Sequence, residues 1–264
     1  MHTKDLIELA GNPDFISGIY NYCDRWCERC PFTSRCLVYA TEKEDDDNDP
    51  ASRDINNAAF WQKLSSIFEQ TREMIAAWAE ENDVDLDALD TEEAIAEHDR
   101  EMKDARSNDL AVAAENYAWQ VGKWFEEEFG MQTSDDSGTA ETDNAEHEDS
   151  IDDATQVLRW YQFQIAAKTV RGLMSCDDDD EDEEEPEDRL TKHSDGSIKV
   201  ALIAIDRSIS AWRVMQIGLP DKADSILPLL VALESLRQNT EKAFPNARDF
   251  IRPGFDEVPD NLIQ

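Results

Sequence analysis

Four of the five cysteines in this chain fall within fourteen residues, in the run Tyr22-Cys23-Asp24-Arg25-Trp26-Cys27-Glu28-Arg29-Cys30-Pro31-Phe32-Thr33-Ser34-Arg35-Cys36. Thiolates gathered this densely are the ligands that soft and borderline metals take. If Phe15–Arg29 is helical, Cys23, Cys27 and Cys30 stand at i, i+4 and i+7 and share one face. Pro31 then breaks the helix, and Cys36 closes the set from the returning chain. The expected product is a four-cysteine metal centre, with zinc as the favoured ion because a tetrahedral shell of four thiolates satisfies it completely. An iron–sulfur cluster is the alternative, since it also asks for thiolates. Arg25, Arg29 and Arg35 interleave the cysteines and would offset the charge of the thiolates. A buried apolar role for the cysteines, or a redox dithiol pair, are the competing readings.

The C-x3-C-x2-C spacing of Cys23, Cys27 and Cys30 resembles the cluster triad of radical S-adenosylmethionine enzymes. That resemblance covers the triad alone and implies an iron–sulfur cluster on an α/β barrel. The chain shows no alternating strands, and Cys36 would occupy the position the cofactor needs open. The segment is also similar to the cysteine-rich zinc- or iron-chelating modules of small bacterial proteins, although these commonly end in adjacent cysteines, which are absent here. Cys176 stands apart beside Asp177–Asp180, in a field that disfavours its thiolate, and reads as a spectator.

A second candidate site comes from polar residues inside otherwise apolar helices. Gln164 and Lys168 on the third expected helix, with Asp206 and Arg207 on the fourth, could line a small-ligand pocket between the two. The plainer alternative is an internal Lys168–Asp206 ion pair, because buried charges need partners. Other chemistries lack their residues. Ile95, Asn144 and Leu190 stand three places before His98, His147 and His193, so the Glu-x-x-His motif of di-metal bundles is missing. His98 itself lies on a polar stretch. Glu69 and Glu73 share a helix face, but no matching acidic pair completes the magnesium site of a helical pyrophosphatase. Neither a nucleophile elbow nor a glycine-rich phosphate loop is present.

The elements that must position these groups are helical. Asp49-Pro50 pairs an N-cap with proline at the first helical position, and Phe60, Leu64, Ile67, Met74 or Ile75, and Trp78 follow at helical spacing, giving a first helix to about residue 82. Thr91-Glu92-Glu93 opens a second, with Leu110, Ala114, Tyr117, Val121 and Trp124 as its stripe and Asn108-Asp109 as a kink or division. Ser150 and Asp153 resemble a capping box for a third, whose expected stripe is Trp160, Phe163, Ala167, Val170 and Met174, ending near Ser175. Asp195-Gly196 precedes a fourth, Ile198–Ile217, apolar on nearly every side (Val200, Leu202, Ile205, Ile209, Trp212, Val214) and therefore the most buried. A fifth runs over Ile226–Phe244 and stops at Pro245, with Pro228 tolerated if the helix begins at or before Ser225.

The expected fold is thus all-α, an antiparallel bundle of about five helices over 50–245, with a metal-binding segment at 1–41 and an extended tail at 246–264. Acid crowds into expected loops near 42–49, 134–153 and 177–195; eleven of the twelve residues in Asp177–Asp188 are Asp or Glu. With 61 acidic residues against 25 basic ones the formal charge is −36, which repels nucleic-acid backbones and anionic membranes. A protein partner, basic by charge complementarity, is compatible with it; adaptation to high salt is a blander account. No apolar run is long enough to span a bilayer and residues 1–20 lack the pattern of a secretory signal, so a cytoplasmic location, where thiols stay reduced, is expected. The functional expectation is an accessory or interaction metalloprotein with a structural centre of four cysteines, or alternatively an iron–sulfur redox protein or enzyme.

Overall fold

A computed structural model describes residues 9, 11–44, 49–88, 91–129, 145–174 and 187–256. The acidic stretches 45–48, 134–144 and 177–186, Cys176, and the tail from 257 lie outside the described residues. Seven α-helices and several 3-10 turns, with no strand, make up the described chain. They are α1 (Leu37–Glu44), α2 (Ala58–Glu81), α3 (Thr91–Ser107), α4 (Asp109–Phe129), α5 (Ala145–Met174), α6 (Glu187–Gly218) and α7 (Ala223–Ala243). None is long and apolar enough to cross a membrane.

The chain divides into two compact units. The first comprises Met1–Asn21, Arg25–Ala96 and Pro253–Gln264; the second comprises Tyr22–Asp24 and Glu97–Arg252. In the first, Asp49 and Pro50 serve a 3-10 turn, Pro50–Arg53, in which the Asp49 carboxylate accepts from the Ala51 amide. The long helix begins later, at Ala58, under an Asn57 cap. Short polar caps of either kind satisfy amides left open at a helix start, so the earlier signal had two claimants.

The second unit is a four-helix bundle. Helix α4 packs on α5, α5 on α6, α6 on α7, and α7 back on α4, closing a ring. Contacts run in opposite sequence directions: Thr155 meets Met215, Tyr161 meets Arg207, and Gly172 meets Ser194 across α5 and α6, which makes those neighbours antiparallel. At one end, Trp124 of α4 donates to the Ser225 hydroxyl at the start of α7 and packs edge-on to Trp212 of α6 at 4.8 Å. The Trp212 indole donates in turn to the Tyr117 hydroxyl, and both rings are buried. A buried Tyr or Trp needs such a partner for its polar atom, and here each supplies the other's.

Four helices close this ring among the described residues, while α2 lies in the first unit and exposes Trp61, Phe68, Ile75 and Trp78. Asn108 divides the second expected helix into α3 and α4, its side chain accepting from the Leu110 amide at 2.9 Å. Helix α6 is buried at Val200, Leu202, Ile205, Ile209 and Trp212, as expected, but exposes Val214 and Ile217, and it reaches back to Glu187; α5 begins at Ala145, so both helices extend into segments expected as acidic loops. The face of α5 agrees with the expected one at Val170, which is buried with Met174 packed against its cluster, and departs from it over the preceding turns. Its buried side is Ala154, Leu158, Tyr161 and Ile165, whereas Phe163 and Ala167 are exposed. Apolar residues surround α5, so a 3.6-residue period fits more than one stripe and tertiary packing selects between them.

Candidate functional site

The cysteine segment is not one helix. Two 3-10 turns, Ile19–Tyr22 and Cys27–Arg29, stand where the Phe15–Arg29 helix was expected, and a third, Thr33–Arg35, follows Pro31. Gly18 and Arg25 take positive φ, 72° and 57°, a region no right-handed helix visits. Cys30 is extended at φ −87°, ψ 124°, because the ring of Pro31 excludes the helical region for the residue before it. Cys23, Cys27 and Cys30 therefore do not share a helix face, which corrects that part of the sequence reading.

What the first unit provides is a closed loop. The Ile16 amide donates to the Arg35 carbonyl at 3.0 Å, and the Arg35 guanidinium donates to the Asp14 carbonyl at 3.3 Å. Gly254 lets the chain pass so close that a Cβ there would stand 2.8 Å from Ile16 and 3.1 Å from Ile19. Phe32 meets Phe255 edge-on at 5.0 Å. All four cysteines are reduced and partly buried. The Phe32 amide donates to the Cys30 sulfur at 3.4 Å. The interleaved arginines are engaged elsewhere: Arg25 pairs with Glu42 at 3.6 Å and Arg29 lies over the Trp26 ring at 4.0 Å. Among the described residues, no three His, Cys, Asp or Glu side chains are grouped to hold a metal ion.

Cys23 lies between two residues seated in the second unit. Tyr22 is buried, with its ring 4.7 Å from Phe250 and its hydroxyl hydrogen-bonded to His193 Nδ1. Burial pushes the Tyr22 phenol up, and the nearby Arg171 charge pulls against it. Asp24 is held from four sides. Its carboxylate accepts from the Tyr161 hydroxyl at 2.6 Å and from Arg207 at 2.5 Å, while its main-chain carbonyl accepts from Gln164 at 2.5 Å and from the Trp160 indole at 3.0 Å. Burial first, and then the Asp24 hydrogen bond, push the Tyr161 phenol far up. Burial alone would lower Arg207, but its contacts with Tyr161 and Asp24 outweigh it and hold the guanidinium above its ordinary value.

No protein-family model, curated protein or solved structure matches this chain. Its site is therefore read from its own residues.

Gln164 and Arg207, taken from the sequence as pocket lining, are brought together around the chain's own Asp24. Asp206 faces the other way, pairing with Arg248 at 2.6 Å and Arg237 at 3.7 Å, and Arg248 also reaches Glu241 at 2.7 Å. Those contacts hold Arg248 up, Asp206 foremost. Lys168 is partly buried on α5, one turn past Gln164. His98 is exposed, and Glu69 pairs with Arg72 at 3.9 Å. Asp24, Tyr161 and Gly196 are the residues that sequence reasoning missed. Only Gly196 left a signal, as a glycine beside a strongly apolar run; Asp24 and Arg207 are 183 residues apart.

Proposed function

We propose that this chain is a non-catalytic accessory metalloprotein: Cys23, Cys27, Cys30 and Cys36 hold one zinc ion, and the helical bundle serves a protein partner. The observation that carries the reading is four reduced, partly buried thiols within fourteen residues, on a segment whose flanks are tied by the Ile16–Arg35 hydrogen bond. To bind one ion the sulfurs must draw together from their described places. Structural zinc supplies roughly 10–16 kcal/mol in small domains, well above the ~1–2 kcal/mol per residue that ordering a few turn residues costs. Four thiolates fill the tetrahedral shell and leave no open position for substrate, which suits a structural ion. A reducing compartment such as the cytoplasm suits free thiols. The polar residues between α5 and α6 have an anchoring use for Asp24, so a ligand pocket there is not needed to account for them.

A second reading, an iron–sulfur centre, draws support from the amide bonded to the Cys30 sulfur and from the Phe32–Phe255 pair, since hydrogen bonds and water exclusion tune such clusters. Tag-free protein purified anaerobically separates the two by elemental analysis and absorption. One zinc per chain without colour, lost in Cys27→Ser/Cys30→Ser with the far-ultraviolet dichroism kept, is the expected result. Stoichiometric iron with a visible charge-transfer band establishes the second reading, and protein with neither metal refutes both.

A further inference from the structure

In the second unit α3, α4 and α5 leave between them a groove of about 880 Å³. We propose that this groove is the docking site for a basic amphipathic helix of a partner protein. It deepens the interaction half of the reading above and does not rest on the metal centre.

The floor is made of small residues, Ala118 and Gly122 of α4 with Ala166 and Ala167 of α5, over which a helix backbone can approach closely. It is also stiff. Gln162 is buried beneath it, donating to the Ala118 carbonyl at 2.7 Å, and a Cβ at Gly122 would already stand 3.0 Å from that amide. Trp119 and Phe163 rise on either side, 67% and 68% exposed. Large aromatics left in water beside a small-residue floor are the anchors that a helix-in-groove contact uses. The lining along α4 runs from Glu115 to Glu127, about 18 Å at 1.5 Å per residue, which is the span of some three turns of a helix and longer than a compact small molecule fills.

Charge selects the occupant. The rim carries Glu115, Glu126 and Glu127 against Arg106 and Lys123, and those two cations are already paired, with Glu115 at 3.9 Å and Glu127 at 3.5 Å. The excess is negative locally and amounts to −36 over the chain. A second copy would bring the same charge to the contact, whereas a Lys- or Arg-rich helix complements it.

The test uses the full chain, a fluorescein-labelled amphipathic Leu–Lys peptide of about 14 residues, a scrambled peptide of equal composition, and a Leu–Glu counterpart, at about 0.15 M salt. Fluorescence anisotropy should show the Leu–Lys helix binding, with at least a roughly tenfold loss in Ala167→Arg and in Trp119→Ala/Phe163→Ala. Residue 167 is exposed, so the first variant should keep the dichroism of the bundle. Cys27→Ser/Cys30→Ser should bind the peptide as the native chain does, which separates failure here from failure of the metal reading. Equal binding of the scrambled peptide, undiminished binding by Ala167→Arg, or equally tight binding of the Leu–Glu peptide overturns the proposal. So does a dimer of the chain that Ala167→Arg dissolves, because it gives the groove to a second copy.

Discussion

Replacing Gly196 by alanine tests whether Tyr22 is seated on the bundle, and the two possibilities give opposite signs. Gly196 lies inside α6, where alanine ordinarily stabilises by about 1 kcal/mol. Here a Cβ would stand 2.6 Å from one carbon of the Tyr22 ring, closer still to the next, and 2.8 Å from the tip of Phe250. Ordinary contact begins near 3.4 Å, so the ring must retreat by about 1 Å. It has little room to do so, wedged against Phe250 and bonded through its hydroxyl to His193. Overpacking of this kind costs about 1–3 kcal/mol, and disturbing the hydroxyl bond adds about 1 kcal/mol. Against the gain in helix propensity, Gly196→Ala should destabilise the native chain by about 1–3 kcal/mol. In a Tyr22→Ala background only the Phe250 tip remains, a side-chain end that can turn away, and the same substitution should be neutral or stabilise by up to about 1 kcal/mol. Urea unfolding followed by far-ultraviolet dichroism gives all four corners of the cycle. A Gly196→Ala midpoint above that of the native chain would refute the seating of Tyr22.

Two further predictions concern Asp24. Asp24→Ala removes the acceptor of Tyr161 and Arg207 while keeping the main-chain bonds; Arg207 is 53% exposed, which discounts its ion pair, so the loss should be about 1–2 kcal/mol in the urea midpoint, with Asp24→Asn recovering part of it. No change in either variant would show that the Asp24 side chain anchors nothing. The second is alkaline. Burial, followed by Asp24, raises the folded Tyr161 phenol above its ordinary value of 10.0, so its contribution to stability is complete below pH 10 and falls away as pH rises beyond it, where the unfolded phenol ionises first. Native protein should therefore lose stability above pH 10 more steeply than Tyr161→Phe, and superimposable profiles would remove that linkage.

Most of the bundle was legible in the sequence because its signals are local. The stripe Leu110, Ala114, Tyr117, Val121 and Trp124 lies in the core of α4, Asn108 divides the helices where Asn108-Asp109 stood, and α7 ends just ahead of Pro245. Three things were not legible, for three reasons. The core face of α5 was ambiguous because its apolar residues nearly encircle it, and the choice of Leu158, Tyr161 and Ile165 over Trp160, Phe163 and Ala167 is made by neighbouring helices. The cysteine segment looked helical by spacing, but Pro31 and the positive φ at Gly18 and Arg25 divert it into turns. Asp24 gave no local sign at all, since its partners are 136–183 residues away.

The misread face of α5 bears on function. A helix forced to choose one apolar stripe for the core leaves the other in water, and Phe163 beside Trp119 is that remainder. Helix α2 in the first unit does the same with Trp61, Phe68, Ile75 and Trp78, which fall within about 100° of one another at 100° per residue. Exposed faces of this size ordinarily invite self-association. At −36, two copies repel, and the repulsion is felt wherever charged surfaces come within the Debye length of about 8 Å at physiological salt. The same charge that keeps copies apart draws in a cationic surface, so apolar area and net charge select a partner together: one that is apolar where it touches and basic around the contact. Raising the salt should therefore weaken the Leu–Lys peptide while bringing copies of the chain closer to association, two opposite responses that a merely acidic, non-interacting surface would not give.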